Sequence, residues 1–136
     1  KDPYYRFLNK YFLFLQIPIG LSLFAIGEKL GVGGWSLVLW GIPLRLVVVY
    51  HITWLVNSAT HCWGTVAFDS GDESRNNAWV AALTFGEGWH NNHHAFPNSA
   101  RQGLFKGQID LTWEHIKFLA RLGFAKKIKL PSRTYY

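Results

Sequence analysis

Three histidines fall within five residues in the segment GEGWHNNHHAFP. His90, His93 and His94 are spaced i, i+3 and i+4, so a helix would place their imidazoles on one face. Asn57 and His61, in the segment NSATH, are four residues apart and would share a helical face in the same way. Imidazole nitrogen binds iron, zinc, copper and nickel, so the pattern indicates a metal site without selecting the ion.

The surrounding residues narrow the kind of metal chemistry. The His-Glu-x-x-His helix of zinc proteases does not occur in the sequence. Glu87 and His90 have the Glu-x-x-His spacing of carboxylate-bridged di-iron bundles, but the chain holds no second copy of it. Three or four imidazoles with few acidic residues therefore favour a histidine-rich iron site.

The two remaining histidines are expected to have other roles. His115 lies in the amphipathic segment LTWEHIKFLARLGF and is predicted to be an ordinary surface residue. His51 precedes Asn57 by six residues, roughly 120° around a helix, so we expect a polar neighbour of the site rather than a ligand.

Two long apolar stretches lie in the first half of the chain. Residues 11–27 span roughly 25 Å as a helix, and a membrane helix tolerates the proline at position 18. Residues 35–56 are long enough to cross a bilayer, with Arg45 expected to face a partner or water. The glycine-rich segment GEKLGVGG joins the two stretches. A soluble pair of helices around a hydrophobic core is the alternative.

Basic residues flank both stretches, whereas the connector carries only Glu28 and Lys29. Lys and Arg are enriched on cytoplasmic flanks, so both ends of the chain are expected on the cytoplasmic or equivalent face. The predicted fold class is all-α: a membrane helical hairpin, 11–27 and 35–56, followed by a cytoplasmic helical cap, 57–136, that carries the histidine metal ligands. The flanking basic residues are Lys1, Arg6, Lys10, Arg75, Arg101, Lys106, Lys117, Arg121, Lys126, Lys127, Lys129 and Arg133.

Composition argues against a nucleic-acid partner and against an internal disulfide. The net charge is +6, but the basic residues are scattered and no recognition helix or base-stacking motif accompanies them, so no nucleic-acid partner is expected. The single cysteine, Cys62, excludes an internal disulfide. We expect Cys62 to be a small buried side chain.

The segments TWLVNSATH and GEGWHNNHHAFP together resemble the integral-membrane fatty acid desaturases, in particular the delta-9 acyl-CoA and acyl-lipid branch. That family has Asn-Ser-x-x-His followed by Gly-Glu-Gly-aromatic-His-Asn-x-His-His. The likeness covers nearly the whole chain, because the paired apolar stretches and the tail DLTWEHIKFLARLGFAKKIKLPS are also similar to the family. SRNNAW and KLPS are more similar to the plant and cyanobacterial members than to the animal ones.

The resemblance implies a di-iron enzyme that uses dioxygen and two electrons to introduce a cis double bond, of the delta-9 type, into a saturated acyl chain. It implies four histidine ligands to iron, an asparagine that contacts iron through a water, and two residues that line the acyl tunnel. A dry, kinked tunnel would determine which carbons react and would exclude water. The implied histidine ligands are His61, His90, His93 and His94. The implied asparagine is Asn57, and the implied tunnel residues are Thr53 and Trp54.

Further expectations follow for the surroundings of such a centre. Glu87, Asn91 and Asn92 are expected to orient the imidazoles through their distal nitrogens. The implied partners are a fatty acyl substrate, carried as acyl-CoA or acyl-lipid, membrane lipid, and an electron donor such as ferredoxin or cytochrome b5. The resemblance implies a multi-pass membrane protein, located in the endoplasmic reticulum or in a plastid or thylakoid membrane.

One departure from the family pattern concerns its upstream motifs. The family's earlier His-x-x-x-x-His and His-x-x-His-His motifs do not occur before Asn57, where His51 is the only histidine. Residues 1–136 are therefore expected to be the C-terminal portion of a desaturase domain, inactive alone. The alternatives are a related histidine-rich di-iron hydroxylase or ketolase, and a non-catalytic truncated homologue.

Overall fold

The computed structural model describes residues 2–131 of the chain. Lys1 and residues 132–136, which include the basic Arg133 and the end of the KLPS segment, lie outside the described residues. Within 2–131 the regular structure is helical, apart from two isolated antiparallel bridges, which confirms the predicted all-α class. The helices are α1 (Pro3–Tyr11), α2 (Gln16–Lys29), α3 (Gly34–Leu39), a π-helical segment (Trp40–Leu44), α4 (Arg45–Cys62), α5 (Ala78–Leu83), α6 (His90–Ala95) and α7 (Leu111–Arg121).

The chain divides into two compact units, one up to Tyr50 and the other from His51 onward. The division falls within α4, whose residues run without a break from Arg45 to Cys62. The first unit holds the apolar helices. The second unit holds the histidine-rich segment and the loops around it.

In the first unit, α2 begins at Gln16, five residues after the start of the apolar stretch, because Pro18 falls in its first turn. Proline has no N–H, and the N–H groups of a first turn have no partner within the helix, so this position costs little. Ser22 Oγ donates to the Pro18 carbonyl at 2.8 Å. A turn over residues 12–15 separates α2 from α1, and the two helices are bent by 67°.

Glycines allow α2 and α3 to approach closely. A Cβ atom on Gly27 would lie 2.7 Å from the carbonyl oxygen of Gly33, and one on Gly34 would lie 2.5 Å from Cδ2 of Phe24. The Glu28 carboxylate closes the connection by accepting a hydrogen bond from the Gly34 N–H at 2.6 Å. The connector is thus held by backbone contact that any side chain at these positions would obstruct.

The second apolar stretch forms one long helical run. Pro43 lies inside its π-helical segment, where the wider turn accommodates a residue that cannot donate to the preceding turn. By length and composition, the 29 residues Gly34–Cys62 are apolar enough to cross a membrane, whereas α1 and α2 pass that test only as a bent pair. Arg45 donates from Nε to the Gly41 carbonyl at 2.9 Å.

The core of the second unit is unusually polar. A small aliphatic cluster is formed by Val56, Ala59 and Val80. The largest fully buried side chains, however, are polar: Asn91, Asn92, Thr60 and Ser74. The expectation that Cys62 is buried is wrong, because the thiol lies at the exposed end of α4, beyond this core.

Candidate metal centre

Three of the predicted ligands come together at one point. Ligand nitrogens of His61, His90 and His94 all lie within 4.8 Å of one another. The Nε2 atoms of His90 and His94 are 3.0 Å apart, and the ring centroid of His61 is 5.1 Å from that of His90. Two nitrogens that each lie about 2.1 Å from one ion are about 3 Å apart when they subtend a right angle. We call these three residues the histidine trio; its spacing suits a single metal ion.

The trio joins two helices that are far apart in the sequence. His61 is in the last turn of α4, whereas His90 and His94 are one turn apart on α6. The loop before α6 approaches its surroundings through glycines. A Cβ atom on Gly88 would lie 2.0 Å from the backbone nitrogen of Ala81, and Gly86 has a φ of +126° that other residues rarely adopt.

Burial keeps His90 in the form that binds metal. Burial and, after it, the positive charge that His94, His61 and His93 can carry together lower the pKa of the His90 imidazole to about 4, against the opposing charge of Asp72. His90 is therefore neutral at physiological pH. A neutral imidazole offers a nitrogen lone pair to a metal, whereas a protonated one does not.

His93 is on the same helix but outside the trio. Its ring centroid lies 5.9 Å from that of His90 and 5.8 Å from that of His94. The Nδ1 atom of His93 is buried and has no hydrogen-bond partner among residues 2–131. An unpaired buried nitrogen is costly, which makes this atom available to a ligand or an ion.

The expectation for Asn91 is wrong: it does not orient an imidazole. Its Oδ1 accepts from the N–H groups of Ala67 and Phe68, each at 2.8 Å. Its Nδ2 donates to the Phe68 carbonyl at 2.9 Å and to Ser70 Oγ at 3.2 Å. The amide is satisfied by the loop that precedes α5, and it fastens that loop to α6.

The expectations for Asn92 and Glu87 are also wrong. Asn92 accepts from Asn76 Nδ2 at 2.7 Å and donates to the Gln102 carbonyl at 2.7 Å and to Gln108 Oε1 at 2.8 Å. Glu87 accepts from Gln102 Nε2 at 3.0 Å. These side chains join loops that precede and follow α6 and form no hydrogen bond with a histidine ring nitrogen in the described part of the chain.

Asp72 is the carboxylate that contacts the trio, and the sequence did not indicate it. Its Oδ2 accepts a hydrogen bond from Nδ1 of His94, which lies 22 residues later in the chain. Hydrogen bonds from Ser74, and then from Ser70 and His94, hold the pKa of the Asp72 carboxyl well below its usual range. The group is therefore an anion at physiological pH. Asp72 belongs to no spaced pattern in the sequence, so only the folded loop relates it to His94.

The other predicted site residues lie on or near α4. Asn57 is one helical turn before His61 and donates from Nδ2 to the Thr53 carbonyl at 3.0 Å. Trp54 is 61% exposed, and its ring centroid lies 5.3 Å from that of His51. His115 is exposed on α7. The structure thus brings three of the seven predicted residues together in the trio, whereas Thr53, Trp54 and Asn57 lie earlier on α4 and His93 lies on α6 outside the trio.

The donor set of the trio and Asp72 fits a bound metal ion. The imidazoles of the trio converge, and a carboxylate contacts the outer nitrogen of one of them, as in many metal sites where a second group fixes the ligand ring. The buried Nδ1 of His93 offers a further donor nearby. The second unit therefore carries a histidine cluster that is compatible with metal binding.

Comparison with known proteins identifies the family. The sequence profile described as "Fatty acid desaturase" matches residues 3–124. The chain belongs to this family, which confirms the resemblance carried by the two motifs.

The most similar relatives include lipid desaturases of cyanobacteria and plants. The chain is 56% identical to the sn-1 stearoyl-lipid 9-desaturase of Synechocystis sp. and 55% identical to that of Anabaena variabilis. It is 52% identical to the chloroplastic palmitoyl-monogalactosyldiacylglycerol delta-7 desaturase of Arabidopsis thaliana. Each match covers 98% of this chain but only 40%, 47% and 34% of the respective relative. The chain thus spans less than half the length of these relatives.

Proposed function

We propose that this chain is the C-terminal part of a membrane di-iron desaturase that introduces a cis double bond of the delta-9 type into a saturated acyl chain. The observation that carries the proposal is the convergence of His61 from α4 with His90 and His94 from α6. These positions are the histidines of the family's Asn-Ser-x-x-His and His-Asn-x-His-His motifs. Membership of the desaturase family supplies the reaction class.

The reaction consumes one dioxygen and two electrons for each double bond. One hydrogen leaves each of two adjacent methylene groups, and these two hydrogens, with two electrons and two protons from the donor side, reduce dioxygen to two waters. Iron held by the histidines would supply the activation of dioxygen, which no side chain of the chain provides. A desaturase differs from a hydroxylase or ketolase in that no oxygen atom stays on the acyl chain.

The side chains have distinct proposed roles. His61, His90 and His94 would hold one iron. His93, whose ring lies outside the trio with an unpaired Nδ1, would serve the second iron together with ligands from outside this chain. Asn57 would contact iron through a water, since it lies one turn from His61 and its Oδ1 is an acceptor.

The acyl chain is proposed to pass along α4 near the centre. Thr53 and Trp54 lie two to three turns before the end of this helix, and the exposed indole of Trp54 offers apolar surface to a substrate. Apolar walls would hold the chain with one pair of carbons at the iron centre and keep water from it. Two of the relatives are named as 9-desaturases of stearoyl-lipid, which supports the position and favours an acyl-lipid over an acyl-CoA substrate.

The location and the electron source are proposed from the same relatives. A multi-pass position in a plastid or thylakoid membrane agrees with the chloroplastic relative and with the apolar run Gly34–Cys62. Ferredoxin would be the matching donor there. In the endoplasmic reticulum, the corresponding donor would be cytochrome b5.

The proposal is tested by expressing the gene that encodes this chain, in full, in a host whose lipids are saturated. Gas chromatography with mass spectrometry of the fatty acids should show a new cis-9 monoene, absent when the host carries the His90→Ala protein. A hydroxylated or oxo fatty acid in place of the monoene would establish the hydroxylase or ketolase alternative. Unchanged fatty acids, from protein confirmed in the membrane with its iron and a donor, would favour the non-catalytic homologue.

A further inference from the structure

Asp72 presents its two carboxylate oxygens to different partners. Oδ1 accepts from Ser70 Oγ at 2.8 Å and from the Ser74 N–H at 2.9 Å. Oδ2 is left for Nδ1 of His94. With one oxygen held by the loop, the carboxylate cannot rotate freely, so the direction of its second oxygen is fixed.

The loop that holds Asp72 is itself fastened to the helix that carries His94. Asn91 is fully buried and donates to Ser70 Oγ at 3.2 Å and to Ser74 Oγ at 3.4 Å. The two serine hydroxyls are 2.9 Å apart and share a hydrogen bond. Hydrogen bonds therefore connect Asn91 of α6 to the two serines and the serines to Asp72. A further hydrogen bond connects Asp72 to His94, which is also on α6.

The two ring nitrogens of His94 have different partners. Nε2 lies 3.0 Å from Nε2 of His90, on the side of the trio. Nδ1 faces the carboxylate of Asp72. A neutral imidazole carries its proton on one nitrogen only, and an anionic acceptor attracts that proton.

We propose that Asp72 is a positioning residue for His94: it keeps the proton on Nδ1, holds the plane of the ring, and leaves the Nε2 lone pair directed at the metal. The inference rests on the proposed metal centre, and it assigns to this loop a role that the histidine motifs do not contain. A carboxylate in this position also makes the imidazole a stronger donor to the ion. Loss of such a partner in other metal sites costs about 10- to 100-fold in metal affinity.

The test uses the 136-residue chain in detergent, with Co²⁺ as the probe because its visible absorption reports the arrangement of its ligands. The variants are Asp72→Asn and, as matched control, Asp69→Asn. Asp69 is a carboxylate of the same loop whose Oδ1 accepts from the Gly71 N–H at 3.2 Å. Both substitutions remove one negative charge, so a general effect of charge on a cation would appear in both.

We expect Asp72→Asn to weaken Co²⁺ binding by at least about 10-fold and Asp69→Asn to change it by less than about 2-fold. At saturating Co²⁺, the visible bands of Asp72→Asn should differ in position or intensity from those of the unaltered chain, because the ring of His94 is no longer held. Equal affinities for the two variants, or a saturated spectrum that Asp72→Asn leaves unchanged, would overturn the positioning role.

A double-mutant cycle separates action through His94 from a purely structural role of the loop. In a His94→Ala background, Asp72→Asn should have no further effect on Co²⁺ affinity, since the residue it positions is gone. The same loss in both backgrounds would contradict the inference. If His94→Ala binds too weakly to titrate, the saturated spectra of the single variants decide the question.

The outcomes distinguish this inference from the proposed function. Co²⁺ binding that His90→Ala does not weaken, or absence of Co²⁺ binding even when the chain is co-expressed with the upstream part of its gene, would remove the metal centre and the inference with it. Binding that depends on His90 and His94 but not on Asp72 would remove only the positioning role. The proposed metal centre would then remain.

Discussion

At the residue scale, the histidines and the asparagines of α6 point in different directions and have different roles. His90 and His94 face the third histidine of the trio, whereas Asn91 and Asn92 between them are buried and bind the loops on either side. The helix therefore has no apolar stripe on which to pack. It is held in place by fully satisfied amides, which are costly to bury unless every group is paired.

Alanine substitution of the ligands should remove both iron and activity. In the full-length protein, His90→Ala, His93→Ala and His94→Ala should each lower desaturation by more than about 100-fold, beyond the range for groups that only orient a ligand. His115→Ala is the control, because that side chain is exposed on α7, and its activity should match the unaltered protein. Iron by mass spectrometry and the monoene by gas chromatography would be measured together. Substantial iron and activity in the His93→Ala protein would contradict its assignment as a ligand.

Asn91 should matter for the stability of the loop before α5 rather than for metal chemistry directly. Asn91→Asp keeps the size of the side chain but replaces the Nδ2 donor, so the three hydrogen bonds from Nδ2 to the Phe68 carbonyl, Ser70 Oγ and Ser74 Oγ are lost. Unsatisfied buried groups cost about 1–3 kcal/mol each. We expect faster proteolytic cleavage within residues 64–77 and a lower midpoint of thermal unfolding.

The control for Asn91 is Asn98→Asp, because Asn98 is exposed. The same change in chemistry there should leave proteolysis and the unfolding midpoint close to those of the unaltered chain. Equal sensitivity of the two variants would show that the Asn91 contacts do not hold the loop.

At the element scale, the pattern-bearing parts of the structure were predictable and the loop contacts were not. The apolar stretches and the i, i+3, i+4 spacing of histidines are periodic, so sequence alone indicated the helices and the histidine cluster. Asp72 and Asn91 bind partners more than 20 residues away. No local preference relates such residues, so the sequence predicts neither the contacts of Asn91 with the loop nor the contact of Asp72 with His94.

The start of α2 shows a second limit of pattern reading. Hydropathy places residues 11–15 with the apolar stretch, but Tyr11 ends α1, residues 12–15 form a turn and α2 begins at Gln16. The physical reason is local: Pro18 is favourable in a first turn and unfavourable further inside a helix. Apolar composition indicates that a segment can be buried, but it does not show where a helix begins or ends.

The approach of α2 and α3 should depend on Gly27. In Gly27→Ala the new methyl group would lie 2.7 Å from the Gly33 carbonyl oxygen and 2.8 Å from Cα of Gly34, both backbone atoms that cannot move aside cheaply. We expect a destabilisation of about 1–3 kcal/mol, as for other overpacked contacts. Thermal unfolding in detergent, followed by circular dichroism, would measure it.

Gly20→Ala is the matched control for Gly27→Ala. Its added methyl group would meet only Cδ1 of Ile42, at an ordinary contact distance of 3.5 Å. Alanine also favours a helix over glycine by about 1 kcal/mol, so this variant should be as stable as the unaltered chain or more so. If both variants lose the same stability, the close approach at Gly27 is not what holds the connector.

At the scale of the whole molecule, the chain holds part of a ligand set. Four histidines and one asparagine are proposed for the two irons, and incomplete sets bind metal weakly. Purified alone in detergent, residues 1–136 should hold clearly less than two irons per chain and should form no double bond when given dioxygen and a reductant. Co-expression with the upstream part of its own gene should restore both, measured as iron content and monoene. Two irons and activity in the chain alone would contradict the proposal that it is a portion of a larger enzyme.

The exposed thiol at the end of α4 can be labelled to show on which side of a membrane this end of the helix lies. Cys62 is the only cysteine in the chain, and it is accessible at the point where the apolar run ends. A maleimide that cannot cross lipid will therefore label sealed vesicles only if this end of the helix faces the outer solution. We expect labelling from the same side on which a tag placed before Lys1 is digested by protease, because both flanks of the proposed hairpin carry the basic residues. Labelling from opposite sides would mean an odd number of crossings between the tag and Cys62.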